Sequence, residues 1–426
     1  MSVRAGVVIV LFALSVLGAV ISGREMFFNL AYLWGGLLLV SWLWSRTVLA
    51  GLALWRRPGS LQAQVGRHFE ERFGLRNAGR WRKLWVEIHD SSDLPGHRAS
   101  SVATNLSPHS ERTWLVRTAC VRRGRFRLGP ASLYGSDPFG FFPVSRSVPE
   151  THHAVVLPLT VPLKAFDLPS GHRPGGEALR HRTHQVTPSA AGVRDYAPGD
   201  GFNRIHWPST VRKDRLIVKE FELDPKADIW IFLDASARAQ AGSADIPDME
   251  PRALSAPRKF RLPPSTEEYA VASAASLALH LLQQDRAVGL AAYGKARQVI
   301  QPDRGERQLY RLLESLAVIE ASGWLALEEL VKIEGQQVPR GASVILITPS
   351  VGPGVLLCAR QLHRRGLVPV LVLLDAVTFG GPDGSKALAA AAQRSSFTVR
   401  LVANGDDLGA ALSDHLRALR AVTPAA

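Results

Sequence analysis

Cysteine is scarce in this sequence, with only Cys120 and Cys358 among 426 residues. Two cysteines exclude a disulfide framework and a zinc site built from cysteine. The chain also lacks the GxSxG turn of serine hydrolases and the Walker A motif of nucleotide-binding proteins. The histidines between residues 172 and 206 are numerous, but their spacing matches no zinc template. These absences favour a binding protein over an enzyme.

Acidic residues are outnumbered, because 51 Lys and Arg against 37 Asp and Glu give a formal net charge of +14. With 46% hydrophobic and 21% charged residues, the composition excludes a disordered or low-complexity chain. A length of 426 residues suggests two or three domains. The positive excess is uneven, since residues 56–128 hold 15 Lys and Arg against 6 Asp and Glu.

Charge is missing altogether from two N-terminal runs, residues 5–22 and 27–45, which have 18 and 19 residues. At about 1.5 Å per helical residue, each run roughly spans a bilayer core of about 30 Å. Residues 23–26 separate them, so the pattern predicts a transmembrane hairpin with both ends on one side of the membrane. Arg4 and the arginines after the second run put those ends in the cytoplasm by the positive-inside rule. We therefore predict a multi-pass protein of the cytoplasmic membrane with its soluble domains in the cytoplasm.

Two alternatives exist for these runs. A cleaved signal peptide also has a basic start and an apolar run, but no Ala-x-Ala site follows the first run. The helices of a buried soluble hairpin would carry a polar stripe, which neither run has. The retained membrane anchor is the preferred interpretation.

Residues 58–150 have the pattern of short β-strands. The runs that are rich in β-branched and aromatic residues lie at 83–90, 113–121 and 125–134. We predict a small antiparallel sandwich or barrel here. A hairpin turn is expected at Arg123-Gly124, and a tight turn at residues 137–140 is expected to close the domain.

A basic and aromatic stretch at residues 81–85 has three interpretations. Basic residues interleaved with aromatics occur in nucleic-acid-binding patches. Next to a membrane, basic residues also attract anionic lipid, by about 1 kcal/mol each. The preferred interpretation is a half-buried strand that includes Trp81, Trp85 and Ile88, with its charges in solvent. We expect membrane lipid as a partner and no nucleic acid.

Residues 227–426 alternate short apolar runs with helical patterns. Strands are predicted at residues 229–233, 287–292, 344–347, 368–374 and 397–402, and helices at 265–284, 304–316, 325–333, 354–364 and 406–419. This alternation predicts a parallel sheet with helices on both faces, which is an α/β Rossmann-like domain. In such sheets, ligands bind beyond the carboxyl ends of the strands, where Asp234 and Thr348 stand. These two residues are the positional candidates for a site.

The connecting segment at residues 151–226 contains the densest group of polar and aromatic residues. A turn is predicted at residues 198–201, and it is flanked by Arg194, Asp195, Tyr196, Arg204, His206 and Trp207. Arginine pairs with aspartate through two parallel hydrogen bonds, and such networks imitate functional sites although they often only lock a loop. The preferred interpretation is a structural clamp.

The same segment closely resembles the motif of the bacterial "domain of unknown function 58" family. That motif runs Arg-x-Tyr-x-Pro-Gly-Asp, then Arg-x-Ile-x-Trp, then a basic segment that ends in a Glu-bearing strand. The matching positions are Arg194, Tyr196, Pro198, Gly199, Asp200, Arg204, Ile205, His206, Trp207, Arg212, Leu216, Val218 and Glu220. Segments within residues 123–140 and the two N-terminal runs also fit the family's layout, so the resemblance covers nearly the whole chain. Pro208 departs from it, since the family usually has a basic residue there.

The resemblance implies a von Willebrand factor type A-like fold for the α/β domain. It also implies a MoxR-type AAA+ ATPase as partner, together with other membrane proteins of the same gene cluster. Domains of this type often bind a divalent cation such as Mg²⁺ through Asp-x-Ser-x-Ser after the first strand, plus a Thr and an Asp from later loops.

The implied metal site is only partly present. Asp234, Ser236 and Thr348 match some of its positions, but Arg238 replaces the second Ser, and Thr348 stands where an Asp is expected. One carboxylate seldom holds Mg²⁺ without substrate phosphates, and an arginine repels the ion. We therefore expect no resident cofactor, and Mg²⁺ is the alternative.

The sequence thus predicts a chain of four parts. They are two transmembrane helices at 1–57, a β-sandwich-like domain at 58–150, the connector at 151–226, and the type A-like α/β domain at 227–426. We expect a membrane-anchored, non-catalytic scaffold or adaptor whose cytoplasmic α/β domain binds a protein partner. One alternative is a divalent-metal-dependent binder or enzyme that uses Asp234, Ser236 and Thr348. The other is a basic module that binds the lipid surface.

Overall fold

The computed structural model describes residues 2–166, 168, 190–196, 205–221, 227–243 and 260–413. The chain divides into two compact units. The first is mainly Met1–Thr160, and the second is mainly Val161–Ser243, Pro264–Leu312 and Ile319–Ala426. The four-part boundaries expected from the sequence stay predictions.

The first unit begins with two long apolar helices, α1 (Val3–Ser22) and α2 (Glu25–Val48), which confirm the helices predicted at this end. Gly23 ends α1 in the left-handed conformation, with φ at +62°, which glycine adopts without strain. Gly18 lies against the ring of Phe27, so the absence of a side chain lets the two helices pack closely. Both helices are long and apolar enough to cross a membrane, and many of their apolar side chains are exposed.

The first unit continues with ten described strands in three small sheets. The strands are β1 (Leu52–Pro58), β2 (Gln62–Gln64), β3 (His68–Asn77), β4 (Lys83–Asp90), β5 (Ser101–Leu106), β6 (Glu111–Ala119), β7 (Gly124–Leu128), β8 (Ala131–Gly135), β9 (Val144–Val148) and β10 (His152–Leu157). The strand orders are β1-β3-β6, β2-β10-β7 and β5-β4-β8-β9. The described pairs are antiparallel, except that β2 runs parallel to β10. The predicted strand-rich character is confirmed, and the parallel pair is a departure from an all-antiparallel arrangement.

The two predicted turns of this region have different outcomes. The turn at residues 137–140 forms, because the Gly140 N–H donates to the Asp137 carbonyl oxygen at 3.0 Å. It does not close the region, since β9 and β10 follow it. The hairpin turn expected at Arg123-Gly124 is wrong, because β6 pairs with β3 whereas β7 pairs with β10. Turn residues mark where a chain reverses, but long-range packing decides which strands pair.

Strand β4 buries a different set of side chains from the one expected. Ile88 is buried as predicted, together with Val86, at 1% and 0% exposure. Trp85 is 43% exposed and Trp81, just before the strand, is 70% exposed. Because successive side chains of a strand point to opposite faces, burial of Val86 and Ile88 turns Trp85 outward. The strand is half-buried as expected, but the two tryptophans are not on its buried face, and Lys83, whose charge was expected in solvent, is only 3% exposed.

A buried ionic network links β1, β3 and β4. Arg56 donates to both carboxylate oxygens of Glu71, at 2.7 and 2.9 Å, and to Asp90 at 3.0 Å. His97 Nε2 lies 3.4 Å from Glu71 and 3.5 Å from Asp90, and His97 Nδ1 lies 2.8 Å from the Thr118 hydroxyl. Burial alone would raise the pKa of Glu71, but hydrogen bonds from His97 and Arg56 and their electrostatic attraction lower that pKa below its ordinary value.

The second unit holds a strand pair and a large sheet. The pair is β11 (Ala190–Asp195) with β12 (Ile217–Phe221), and α3 (Trp207–Lys213) lies between them in sequence. The large sheet consists of β13 (Ile229–Leu233), β14 (Val288–Tyr293), β15 (Arg297–Asp303), β16 (Ser343–Thr348), β17 (Val368–Leu374) and β18 (Thr398–Val402). The helices in this part of the chain are α4 (Thr266–Gln283), α5 (Gly305–Val318), α6 (Leu327–Glu334), α7 (Pro353–Arg364), α8 (Ser385–Arg394) and α9 (Leu408–Ser413). The last residues of α5, Leu313–Val318, are assigned to the first unit. The end of the last predicted helix lies outside the described residues.

The six strands have the order β15-β14-β13-β16-β17-β18 and are parallel except for β15. Strand β13 is buried along its whole length, as expected for a strand that is covered on both faces. Trp230 and Phe232 share an apolar cluster with residues of α6 and α7, while α4 packs against β13 and β16. The mixed α/β domain is therefore confirmed. Sequence reasoning missed β15 and α8.

Candidate functional site

The carboxyl ends of β13 and β16 lie side by side in the middle of the large sheet. Asp234 follows β13 directly, and Thr348 is the last residue of β16. The chain proceeds from β13 to β14 on one side, whereas β16 opens the other half of the sheet. A reversal of strand order of this kind leaves a crevice where α/β proteins bind ligands.

The structure brings together all three residues of the degenerate metal motif. The Thr348 hydroxyl donates to Asp234 Oδ2 at 2.6 Å, and the Ser236 N–H donates to Asp234 Oδ1 at 3.1 Å. The Ser350 N–H in turn donates to the Thr348 hydroxyl at 2.9 Å. Asp234, Ser236 and Thr348 are only 3%, 5% and 0% exposed. Both oxygens of the single carboxyl therefore have donors inside the protein.

Burial raises the pKa of Asp234, and hydrogen bonds from Thr348 and Ser236 oppose that rise. The carboxylate of Glu328, in the first turn of α6, adds to the rise by repulsion. The net effect is that the neutral form of Asp234 is favoured relative to an exposed aspartate.

Gly323 fixes the loop that carries Asp234. Its N–H donates to the Ala235 carbonyl at 3.0 Å, and its carbonyl accepts from the Ala237 N–H at 2.8 Å. A Cβ on Gly323 would lie 2.0 Å from the carbonyl oxygen of Tyr293, so any side chain would force the strands apart. Sequence reasoning missed this glycine, because nothing in the sequence around it distinguishes it from other glycines in short connections.

The residues beside the Asp234 pair present an exposed tryptophan. Trp324 follows Gly323 directly and is 84% exposed. Large exposed aromatics are enriched among the residues that dominate protein interfaces. Sequence reasoning missed Trp324 because burial cannot be read from a single residue in a short connection. We define the rim as Asp234, Thr348, Ser350 and Trp324.

Arg238 and the two cysteines were also considered from the sequence, and they differ in exposure. Arg238 is exposed and, within the described residues, forms no ion pair with Asp234. Burial raises the pKa of Cys358 and of Cys120 to about 11, so both thiols stay protonated near neutral pH. Across the described ranges, no group of three or more His, Cys, Asp or Glu side chains could hold a metal ion.

Nine of the thirteen positions of the family-like motif lie within the described residues. Pro198, Gly199, Asp200 and Arg204 lie outside them, and of Arg194 and Glu220 only the backbone is described, in the paired strands β11 and β12. The Tyr196 N–H donates to the Leu216 carbonyl at 2.9 Å and continues that pairing.

The described side chains of the motif gather around the short helix α3. His206 precedes α3, and its Nδ1 lies 2.7 Å from the Ser209 hydroxyl. Trp207 is 61% exposed, and Arg212 lies in the last turn, where a cation complements the helix dipole. Pro208 occupies the first turn, where no helical hydrogen bond needs its missing N–H, so this departure from the motif fits the local structure.

A family model described as "Protein of unknown function DUF58" matches residues 192–407, which are 216 of the 426 residues. The chain therefore belongs to this family. The uncharacterised protein YeaD of Bacillus subtilis strain 168 is 23% identical over 174 residues, which are 41% of this chain and 37% of the relative. The chain thus matches little more than a third of the length of this curated relative.

Similarity to solved structures is slight. The CARDB domain of a Pyrococcus furiosus protein, solved with di-metal ions, is 13% identical and covers 25% of this chain and 91% of its own, with a TM-score of 0.19. Proximal thread matrix protein 1 from the mussel byssus is 11% identical and covers 44% of this chain and 46% of its own, with a TM-score of 0.29. Neither similarity supports an argument about fold or function.

Proposed function

We propose that this protein is a membrane-anchored, non-catalytic scaffold or adaptor whose cytoplasmic α/β domain binds a protein partner through the rim. The supporting observation is a difference in exposure within the rim. The carboxyl of Asp234 is buried with both oxygens accepting hydrogen bonds. Trp324 is 84% exposed and directly follows Gly323, whose backbone bonds to the loop after Asp234. An engaged carboxyl is poorly suited to acid–base chemistry, while an exposed tryptophan is suited to burial against a partner.

Two features support a von Willebrand factor type A-like assignment for the α/β domain. The strand order places the first strand in the middle, with one antiparallel strand at the edge. An Asp-x-Ser sequence follows that first strand at the carboxyl edge. The family resemblance makes a MoxR-type AAA+ ATPase the partner we propose, with membrane proteins of the same gene cluster as further partners. For the first unit, the three small sheets are compatible with a β-sandwich-like domain.

Membrane anchorage is supported by the surfaces of α1 and α2. A core helix of a soluble protein is mostly buried, whereas the most apolar stretches of these helices are 22% and 6% buried. Arg46 lies in the last turn of α2, next to Trp42, where a headgroup region would accommodate both side chains. We propose that the hairpin crosses the cytoplasmic membrane twice, with both ends in the cytoplasm.

The residues around Asp234 do not fit Mg²⁺ well. A magnesium ion takes about six oxygen ligands in octahedral geometry and usually needs carboxylates. Here the one carboxyl already accepts two hydrogen bonds, and burial favours its neutral form. Isothermal titration of the full chain in detergent with Mg²⁺ and Mn²⁺ tests the metal-dependent alternative. Heat at millimolar metal that disappears in Asp234→Asn would favour that alternative over the scaffold.

Recovery of an AAA+ ATPase tests the proposed partner. The full chain is captured from membranes of cells that express a related MoxR-type ATPase, and the bound ATPase is quantified. We expect Trp324→Ala to reduce recovery at least about tenfold, because a tryptophan at the centre of an interface contributes about 2 kcal/mol or more. The matched control is Tyr310→Ala, which removes a 50% exposed aromatic from α5. Equal recovery with both variants, or no ATPase with the wild type, would contradict the proposal.

A further inference from the structure

A cavity of about 820 Å³ opens in the first unit beside the last turns of α2. Val40, Leu43 and Trp44 of α2 form one wall. The start of β4 and the loop at residues 136–140 form the others. A cavity of this size is large enough for a ligand of several hundred daltons.

Large apolar side chains line the cavity without being buried. Trp81 is 70% exposed, Phe139 51%, Leu84 49% and Trp85 43%. Soluble surfaces rarely carry such a contiguous apolar patch unless something binds there. The patch adjoins Leu43, 51% exposed on α2, so it continues the apolar surface of the helix.

The exposed charges of the cavity are positive. Arg4 and Arg82 line it and are exposed. Asp137 is the one acid among its lining residues, and its carboxylate accepts the N–H groups of Phe139, at 3.1 Å, and Phe142, at 2.7 Å. Asp137 is only 4% exposed, so its charge is held inside the loop.

Lys83 gives the cavity a fixed shape. It is 3% exposed, and its ammonium group donates to the Thr47 carbonyl at the end of α2. Burial lowers the pKa of Lys83. This contact ties the start of β4 to the helix, so the tryptophans beside Lys83 stay close to the end of α2.

We propose that this cavity binds one anionic phospholipid of the membrane that α1 and α2 cross. The guanidinium groups of Arg82 and Arg4 bind the phosphate, for which arginine is well suited. An acyl chain lies along Val40 and Leu43, and the indoles occupy the interfacial region that tryptophan prefers. The two parts of such a lipid match the two chemistries of the cavity. The inference rests on the proposed membrane anchorage.

Lipid retention by the full chain tests this inference. The purified chain is stripped of lipid in detergent, titrated with phosphatidylglycerol or phosphatidylcholine, and analysed by native mass spectrometry. We expect one tightly retained phosphatidylglycerol and weaker retention of phosphatidylcholine. Arg82→Gln should weaken phosphatidylglycerol binding about fivefold, the effect of one basic residue at a membrane surface.

The matched control is Arg76→Gln, which removes an exposed positive charge from β3, at a position that does not line the cavity. It should leave the affinity within twofold of the wild type. If both variants weaken binding equally, general surface charge explains the retention and the cavity proposal is wrong. Trp81→Ala should weaken both lipids, and an unchanged affinity would also overturn the proposal.

A separate measurement distinguishes a failure of the proposed membrane anchorage from a failure of the proposed lipid binding. Carbonate-washed membranes report whether the chain is integrated, independently of any bound lipid. A chain that washes off contradicts the anchor itself. A chain that stays in the membrane but retains no preferred phosphatidylglycerol contradicts only the cavity.

Discussion

Two buried carboxyl groups of this protein respond to their surroundings in opposite ways. Glu71 lies between Arg56, which donates to both of its oxygens, and His97, and its pKa is lowered below the ordinary 4.5. Asp234 accepts hydrogen bonds from a hydroxyl and an N–H group, it forms no ion pair with any described residue, and burial raises its pKa above the ordinary 3.8. The presence of a paired cation therefore decides whether the ionised form of a buried acid is stable.

Asp234→Asn should become less destabilising as the pH rises. The neutral wild-type carboxyl adds stability below pH 3.8, and this is lost as the pH rises through the raised folded pKa. Asparagine keeps an acceptor for the Ser236 N–H and does not ionise, so the difference in unfolding free energy from wild type should shrink between pH 4 and pH 8. Thermal unfolding of the full chain in detergent measures this difference. Asp383→Asn, at an exposed position, is the control, and a difference that grows with pH would contradict the interpretation.

Glu71→Ala should destabilise the first unit by about 3–5 kcal/mol, because it leaves Arg56 buried beside only one carboxylate. The stabilisation from Glu71 is present above pH 4.5 and lost as the pH falls through the lowered folded pKa. The variant should therefore lose less stability than wild type on acidification below pH 4.5. Glu70→Ala is the control, since its pair with Arg117 is exposed and should contribute about 1 kcal/mol or less. Denaturant unfolding gives both values, and equal losses for the two variants would refute the assigned role.

Some residues of the candidate site could be predicted and others could not. The positions of Asp234 and Thr348 follow from the rule that parallel strands end at one edge of a sheet, which the apolar runs before them reveal. Gly323 and Trp324 have no such local pattern, because they come close to Asp234 only after the whole sheet has formed. Trp85 was misread for a related reason, since a strand with apolar residues on both faces does not reveal which face is buried.

At the scale of elements, the long apolar strands and helices were predictable and the pairing of short strands was not. The runs that became β13, β16 and β17 are fully apolar and needed no partner to be recognised. Strand β15 was not predicted, because it lies at the edge of the sheet, its side chains are at most partly buried, and its sequence has no apolar run. The choice of partner by β6 and β7 depends on contacts far away in sequence, which no turn residue encodes.

Gly323→Ala should separate the loop after β13 from the connection before α6. The added Cβ would meet the carbonyl oxygens of Tyr293 and Ala235 at 2.0 and 2.9 Å, and neither backbone can yield without moving a strand end. We expect a loss of about 1–3 kcal/mol, as for overpacked sites, and a changed emission of the neighbouring Trp324. Gly335→Ala, at a helical φ of −60° where the added Cβ would meet no atom closer than 3.5 Å, should cause a smaller loss and no spectral change. The same spectrum and stability for both variants would rule out the proposed close contact.

At the scale of the whole molecule, the hairpin of α1 and α2 predicts the sides on which single residues are accessible. Cys120 and Cys358 are buried, and their pKa values of about 11 make them poor targets for maleimide labelling. Single engineered cysteines at the exposed positions Ser60 and Arg24 therefore report the topology, because the native cysteines contribute little labelling.

Ser60→Cys should react with a membrane-impermeant maleimide only after cells are permeabilised, because the region after α2 is expected in the cytoplasm. Arg24→Cys, between the two helices, should react in intact cells. The unmodified chain is the control for both measurements. Labelling of both positions from the same side would contradict the hairpin topology.

The hydrogen bond between Thr348 and Asp234 joins positions that are 114 residues apart in the chain. At a synthesis rate of about 5–20 residues per second, Thr348 is synthesised roughly 6–23 seconds after Asp234. Until then its carboxyl is solvated and ionised, and the loop after β13 cannot adopt its final form. The rim can therefore form only after β13, β14 and β16 have all been made, so a partner that recognises it would select chains in which these three adjacent strands are present.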